Sequence, residues 1–372
     1  MPPREQAATV LRQLPSPSSY SHPKGLDSWS GPKGFSSLLR CHRIPSAAQD
    51  PFPVPLDEHL AEVSVTLLDP ILAQLAEDCE HMSPSAADCN FTERVAASMS
   101  RAYDDEDRRL AAVWDLFRVE FGCSLVRIAV GNGTTDGSYI CSNGLVLNLE
   151  IKNEIGMGGG SPHIQNAGYS SSHASSVGSK VIRDISVCPT LLVELAGPNM
   201  SLSGSIFSEC AICDQLTPMV SLLWLPHSPL MLQAARCFGA LRKALRSLES
   251  FYISLSQHAS PEPGRQLQYP YPNTFTALDG THVPFRYISA LTPRCFTAQA
   301  GQQHVVVKFS RTYSPEAHKF LAEEGFAPRL LHTRGLPGRW VRVVDMLVPS
   351  KVAGTLLWSE PLLWSESTCP PT

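Results

Sequence analysis

Residues 145–152 alternate between two sets of side chains, and this alternation constrains the fold more than any other feature of the chain. A two-residue period predicts a strand with one face in a core. Charges at the end of such a strand are costly to bury unless they have a partner or a use, so Glu150 and Lys152 are candidate functional residues. One face of the predicted strand carries Leu145, Leu147, Leu149 and Ile151, and the other carries Val146, Asn148, Glu150 and Lys152.

Residues 142–144 (Ser-Asn-Gly) form a turn signal that joins this strand to a preceding strand-like run. A two-residue turn at Asn143 and Gly144 would put Asp136 on the face away from Glu150. A three-residue turn that ends with Gly144 in the left-handed conformation would put Asp136 directly opposite Glu150, because one residue of register reverses the face of every side chain. We therefore expect the three-residue turn if the charged residues form a site.

In that register, Asp136, Glu150 and Lys152 share one small patch of surface. Two carboxylates can hold a divalent cation through their oxygens. A neighbouring lysine can orient water or stabilise developing charge on a phosphate. The other interpretation is an ion pair across the end of a surface hairpin, which contributes about 1 kcal/mol at most.

The composition limits the classes of protein to consider. With 372 residues, of which 43% are hydrophobic, the chain is long enough for two modest domains. The net charge of −4 gives no general attraction for nucleic acid. The 11 cysteines are irregularly spaced, and the sequence shows neither a signal-peptide pattern nor an apolar run of membrane-spanning length. These features predict an intracellular protein, in the cytoplasm or nucleus, without a membrane partner.

Shifts in composition predict five segments. Residues 1–54 are rich in Pro, Ser and Gly and are expected to be a disordered leader. A first domain is predicted at 55–257, a linker at 258–274, and a second domain at 275–347. The tail at 348–372 is expected to be disordered.

The first domain combines helical and strand-like patterns. Helical periodicity covers 56–75 and 92–121, with Asn90 or Thr92 as a possible cap and with the acidic run 104–107 dividing the second stretch into two helices. We interpret that acidic run as a solvated face. After a less regular stretch, the chain continues with strand-like runs at 190–196, 200–207 and 210–216, and with a long amphipathic helix at 230–255. This pattern predicts an α/β or α+β domain with a mixed sheet flanked by helices.

The second domain is predicted to be a small α+β unit. Strand-like runs at 282–288, 295–299 and 304–309 precede a short helix at 316–324, for which Ser314 is the expected cap. Two further strands are predicted at 329–332 and 340–346.

The order of Asp136, Glu150 and Lys152 resembles the motif of the PD-(D/E)XK nuclease superfamily, in which an Asp precedes an acidic-x-Lys on the next strand. The resemblance covers residues 56–257 and implies a catalytic set of these three residues. It also implies a supporting role for Gln165, magnesium held by Asp136 and Glu150, and a Glu on the preceding helix. The candidates for that Glu are Glu93 and Glu120, and the loose Gly/Ser segment after Lys152 departs from the pattern.

The run Val-Val-Val-Lys308 resembles the phosphate-lysine strand of the protein-kinase small lobe, and Glu316 stands where the pairing Glu of the next helix would lie. The sequence of this region resembles the kinase-like domains of fungal proteins in which a nuclease-like region precedes the kinase-like domain. Crinkler-type effectors share this arrangement. The run 288–303 lacks the glycine-rich loop, and the sequence lacks the HRD, Asn and DFG elements that kinases need. We therefore expect a truncated pseudokinase lobe with a vestigial ATP site at Lys308 and Glu316.

Two functions follow as expectations. The first is a nuclease-like module that uses Mg²⁺ to cleave nucleic-acid phosphodiesters, attached to an inactive kinase-like lobe. The second is a non-enzymatic pseudoenzyme that binds a protein partner and retains only vestigial ATP binding.

Overall fold

The computed structural model describes residues 3–12, 17, 39–41, 63–130, 133–155, 161–225, 228–257, 265–277 and 280–347. The predicted tail at 348–372 and most of the predicted leader lie outside these residues. Among the described residues, no helix has both the length and the apolar character needed to cross a bilayer.

The described elements are nine helices and sixteen strands, numbered here in chain order. Helices α1–α9 span Pro3–Leu11, Val65–Leu68, Pro70–His81, Ala86–Met99, Glu106–Phe121, Pro162–Ser175, Lys180–Ile185, Pro229–Gln257 and Pro315–Glu323. Strands β1–β8 span Leu39–Cys41, Ala129–Val130, Gly133–Thr134, Gly137–Cys141, Gly144–Lys152, Thr190–Ala196, Asn199–Phe207 and Ala211–Gln215. Strands β9–β16 span Val220–Ser221, Thr274–Thr276, His282–Pro284, Arg286–Thr292, Cys295–Ala300, Gln303–Ser310, Leu330–Leu336 and Trp340–Met346.

The larger sheet is mixed and has seven strands. Its order is β1-β8-β7-β6-β5-β4, with β9 paired to β7. Strand β5 is antiparallel to β4 and parallel to β6, so the chain crosses between β5 and β6 through helix α6. An α+β architecture with a mixed sheet and flanking helices is therefore present, as expected.

The two faces of this sheet differ in chemistry because the strands alternate polar and apolar side chains. Helix α8 packs on the face that carries Leu147 and Leu149, which belong to the main hydrophobic core. Helix α6 packs on β5, β6 and β7. On that side, Asn148 Nδ2 donates a hydrogen bond of 2.8 Å to Asn166 Oδ1 of α6. Burial of polar groups is tolerated there because they bond to one another.

The smaller sheet has five antiparallel strands in the order β12-β13-β14-β16-β15. Helix α9 connects β14 to β15, and Ser314 caps it by accepting a hydrogen bond from Ala317 N. Buried aromatic and β-branched residues form a second core beneath this sheet, including Phe296, Val307 and Trp340.

The smaller sheet packs against helices α2 and α3. These helices belong to the predicted first domain, called the first module below, and the smaller sheet belongs to the second module. Leu67 of α2 is buried in the second core. The indole Nε1 of Trp340 donates a buried hydrogen bond of 2.9 Å to Thr66 Oγ1. The amides of Gly338 and Arg339 each donate to Glu77 Oε2 at 3.2 Å. Leu67 covers apolar surface of the smaller sheet, and the hydrogen bonds fix the sheet in place. A five-stranded unit of this size needs such cover to be stable.

Within the segment predicted to be a disordered leader, residues 3–11 form helix α1 and residues 39–41 form strand β1. Helix α1 buries Ala7, Ala8 and Leu11. The guanidinium of Arg4 donates to the carbonyl of Ser186 at 2.8 Å, so the helix is held by polar contacts as well as by apolar ones. Strand β1 extends the sheet in parallel to β8. The Pro- and Ser-rich composition of the whole segment hid these short apolar stretches.

Candidate active site

The turn between β4 and β5 differs from both predicted forms. It is a two-residue turn at Ser142 and Asn143, which adopt positive φ angles of 48° and 65°. Two consecutive residues of this kind suit a hairpin because their twist matches that of the strands. Cys141 pairs with Gly144, so the expected three-residue turn with Gly144 in the left-handed conformation is wrong.

A β-bulge restores the register that the turn alone would lose. Ile140 pairs with Leu145 but Tyr139 pairs with Leu147, so Val146 is the extra residue. The bulge changes the face of Leu145, which lines a cavity beside Asn148 instead of joining the core. The prediction that Leu145 shares a face with Leu147 is therefore wrong.

Beyond the bulge, Asp136 reaches Glu150 as expected. Gly137 pairs with Leu149, and continuing this antiparallel register places Asp136 beside Glu150. Asp136 Oδ2 accepts a hydrogen bond of 2.8 Å from the amide of Ile151, which fixes the end of the hairpin. The hairpin thus brings the two predicted carboxylates together.

Glu150 is the more deeply buried of the two carboxylates. Its side chain is 0% exposed. Within the described part of the chain, neither of its carboxylate oxygens accepts a well-formed hydrogen bond, although the backbone amide of Asp136 lies close enough to stabilise the ionised form. Burial raises the pKa of Glu150 well above its ordinary value, and the negative charge of Asp136 raises it further. A carboxyl group in this position must either hold a proton or have a cation beside it.

Asp136 is half-buried, and the charges of Lys152 and Glu106 act on it as they do on Glu150. Burial raises its pKa to about 6, whereas the hydrogen bond from Ile151 and the charge of Lys152 act in the opposite direction. Glu106 also raises the pKa of Asp136. A cation beside the two carboxyl groups would therefore stabilise their ionised forms.

Lys152 forms the cationic side of the site through a contact that the sequence did not predict. Its ammonium lies 3.1 Å from Glu106 Oε1. Glu106 is the first residue of helix α5, which Asp105 caps by accepting a hydrogen bond from Arg108 N. The acidic run was interpreted as a solvated face, and Glu106 is the member of it that turns toward the site.

The helix carboxylates proposed from the sequence lie elsewhere. Glu93 is exposed on α4. Glu120 makes ion pairs with Arg94 and Arg242 near the opposite end of α5 from Glu106, about 21 Å away at about 1.5 Å per residue. Glu106, which was not among the candidates, is the glutamate of these helices that pairs with Lys152. The signal that could have found it is the capped helix start, since Asp105 is a good cap.

Gln165 is buried on helix α6, which packs against β5. Its neighbour His163 lies 3.3 Å from Glu194 Oε1 through Nδ1, and both are buried. Glu194 Oε2 also accepts hydrogen bonds from Ser201 at 2.8 Å and Ser203 at 3.0 Å. Glu194 pairs with Glu150 across β5 and β6, so this polar layer continues the site into the protein.

The loop that follows Lys152 is held by Arg109, which is 0% exposed. Arg109 donates to Asn153 Oδ1 at 3.2 Å and to Glu154 Oε1 at 2.9 Å. It also donates to the carbonyl of Met99 at 3.1 Å. Since Arg109 lies one helical turn after Glu106, helix α5 positions both Glu106 and the end of β5.

In the second module, Lys308 and Glu316 have different partners. Lys308 Nζ lies 2.7 Å from Asp345 Oδ2 on β16, and Asp345 is fully buried. Glu316 is exposed, and its carboxylate accepts a hydrogen bond of 3.3 Å from Ser314 Oγ. Lys308 therefore forms an ion pair with a residue of the neighbouring strand.

The donor set fits one kind of cation better than others. Among the described residues, no group of three or more His, Cys, Asp or Glu side chains is arranged as a complete metal cage. Asp136 and Glu150 are the residues that could hold Mg²⁺ here, since that ion usually takes one or two protein carboxylates and completes its shell with water and phosphate.

Comparison of the chain with protein-family models, with curated proteins and with solved structures finds no match.

Proposed function

We propose that the first module hydrolyses nucleic-acid phosphodiesters with the help of Mg²⁺. The observation that carries this proposal is Glu150, whose buried carboxylate lies beside Asp136 and Lys152 and accepts no well-formed hydrogen bond among the described residues. A purely structural residue at this position would be expected to be apolar or fully hydrogen-bonded. The order of strands β4, β5 and β6 around α6 also supports the proposal, since it agrees with the resemblance to PD-(D/E)XK nucleases.

Each residue has a defined task in this proposal. Asp136 and Glu150 would hold Mg²⁺, which supplies Lewis-acid stabilisation of phosphate charge when it is bound. Lys152 orients the attacking water or stabilises the negative charge that develops on the phosphate. Glu106 keeps the ammonium of Lys152 at the edge of the site through their 3.1 Å ion pair. Arg109 holds the loop after β5 in place.

The test is cleavage of single-stranded and duplex DNA and RNA by the full chain, with Mg²⁺ and with EDTA. We expect Mg²⁺-dependent cleavage that Lys152→Met and Glu150→Gln each reduce by about 10²-fold or more. Glu93→Gln is the matched control, because Glu93 is an exposed carboxylate on a helix of the same module. Absence of cleavage with Mg²⁺ or Mn²⁺ would contradict the proposal and favour a non-enzymatic protein.

We propose a structural role for the second module. Lys308 is neutralised by the buried Asp345, and Trp340 and Leu67 join the two modules. Because the lysine already has a buried counter-charge, we expect ATP to cause no rise in the melting temperature. A rise that Lys308→Ala removes would instead favour the alternative of a pseudoenzyme with vestigial nucleotide binding.

A further inference from the structure

A cavity of about 450 Å³ opens beside the candidate active site, a volume within the range of small-molecule sites. It lies between the β4–β5 hairpin, helix α6 and the end of helix α1. Its lining includes Arg12, Ser138, Asn148, Tyr169 and His173. None of these residues belongs to the carboxylate site, and none has been given a task above.

The cavity and the carboxylates occupy successive positions on one face of the sheet. Ser138 pairs with Asn148 across β4 and β5, and continuing this register past the start of β4 places Asp136 opposite Glu150 on that face. Two residues along a strand span about 6.8 Å. That spacing is short enough for adjacent parts of one ligand, such as a nucleoside and its phosphate, to reach both places.

The floor of the cavity is polar and fixed in position. The hydroxyl of Ser138 donates to Asn148 Oδ1, and Asn148 Nδ2 donates to Asn166 at 2.8 Å. All three side chains are fully buried. A buried network whose members bond to one another is rigid, so this side of the cavity is fixed in position.

The walls suit a flat ring with an attached anion. Ile128, Leu145 and Tyr169 provide apolar and aromatic surface. None of the described residues that line the cavity is acidic. Arg12 lines it with a side chain that is 30% exposed, and its guanidinium also forms a 3.2 Å ion pair with Glu5. His173 lies 3.2 Å from the carbonyl of Asn143 through Nε2, which restrains its ring.

Resting on the proposed phosphodiester hydrolysis, we propose that this cavity receives one nucleoside of the substrate. The adjacent phosphate then reaches Asp136, Glu150 and Lys152. A base inside the cavity cannot remain stacked and paired in a duplex, and unstacking costs least for a strand that is already single. The substrate class is therefore single-stranded nucleic acid.

The test measures binding of adenosine and thymidine monophosphates to the full chain in EDTA, by calorimetry. Ala129→Trp blocks the cavity from its rim, where Ala129 is exposed and disruption of folding is small. Ala87→Trp is the control, since Ala87 is also exposed and does not line the cavity. We expect at least one mononucleotide to bind at millimolar or lower concentration, with affinity reduced about tenfold or more by Ala129→Trp and unchanged by Ala87→Trp.

The outcomes separate this inference from the proposed reaction. Absence of mononucleotide binding, equal binding by Ala129→Trp, or equal cleavage of duplex and single strands would overturn the nucleoside subsite even if Mg²⁺-dependent cleavage persists. Binding that depends on the cavity in a protein that cleaves nothing would support the subsite and contradict only the reaction.

Discussion

Glu106 Oε1 and Lys152 Nζ lie 3.1 Å apart and join the first turn of helix α5 to the last residue of strand β5. This ion pair sets the geometry of the candidate site, because Lys152 is 8% exposed and a lysine that is so largely buried needs a counter-charge. It also gives a task to one residue of an acidic run that otherwise faces solvent.

Glu106→Gln removes the counter-charge and keeps the shape of the side chain. We expect a loss of cleavage of about tenfold to a hundredfold, smaller than for Lys152→Met, because the lysine remains but is held less firmly. The measurement is the cleavage rate at saturating Mg²⁺, and Glu106→Asp should recover part of the lost rate. Full activity of Glu106→Gln would show that Lys152 does not depend on this pair.

Without metal, the pH dependence of stability comes in part from the buried Asp69, whose pKa burial raises to about 6, and in part from Asp136 and Glu150. All three have a folded-state pKa above the ordinary value, so the folded state binds more protons, and the free energy of unfolding falls as the pH rises through this interval. For Asp136 the interval runs from 3.8 to about 6, which corresponds to a loss on the order of 2–3 kcal/mol. Urea denaturation in EDTA across this range measures the slope.

Asp136→Asn should make that slope clearly shallower, because the titrating group is gone. Glu93→Gln serves as the control and should leave the slope unchanged. Equal slopes for the wild-type protein and Asp136→Asn would show that Asp136 is ionised in the folded state without cost.

The hairpin turn is held against helix α8 at Gly144. A Cβ atom at this position would lie 2.2 Å from Cδ1 of Tyr252, whose ring is buried, so Gly144→Ala should destabilise the protein by about 1–3 kcal/mol. Gly335→Ala is the control, because a Cβ there meets no atom within 4 Å. Chemical denaturation compares the two variants, and equal stability would mean that the turn is not packed on Tyr252.

The contact between modules can be tested at Thr66. Thr66→Val leaves the buried indole N–H of Trp340 without its 2.9 Å acceptor, which should cost about 1–3 kcal/mol. The control is Thr312→Val, at an exposed threonine of the second module. If the Thr66 variant unfolds at the same urea concentration as the wild type, the indole bond contributes nothing to the attachment of the two modules.

The sequence predicted those parts of the fold that depend on local periodicity. The long helix expected at 230–255 is α8, and the strands expected around Lys308 form the smaller sheet. The polar face of β5 at Asn148, Glu150 and Lys152 also follows from its two-residue period. These features are encoded by neighbouring residues, so a single sequence is enough to find them.

The sequence missed what depends on distant contacts. The bulge at Val146 is not visible in a pattern of apolar residues, because leucines on both sides of it suit either face. Helix α4 is capped by Ser85, which forms a capping box with Asp88. This cap lies earlier in the chain than the expected Asn90 or Thr92. Glu106 could not be separated from Asp104 or Asp107 by spacing alone, since only the direction of α5 turns it toward Lys152.

Binding of Mg²⁺ at the carboxylate pair tests the central claim most directly. Calorimetry at neutral pH on the metal-free full chain should show one site that Glu150→Gln and Asp136→Asn each abolish and that Glu93→Gln preserves. Mg²⁺ should also raise the melting temperature of the wild-type protein, because a ligand that binds only the folded state stabilises it. Equal Mg²⁺ binding by wild type and Glu150→Gln, or no binding at millimolar Mg²⁺, would contradict the account.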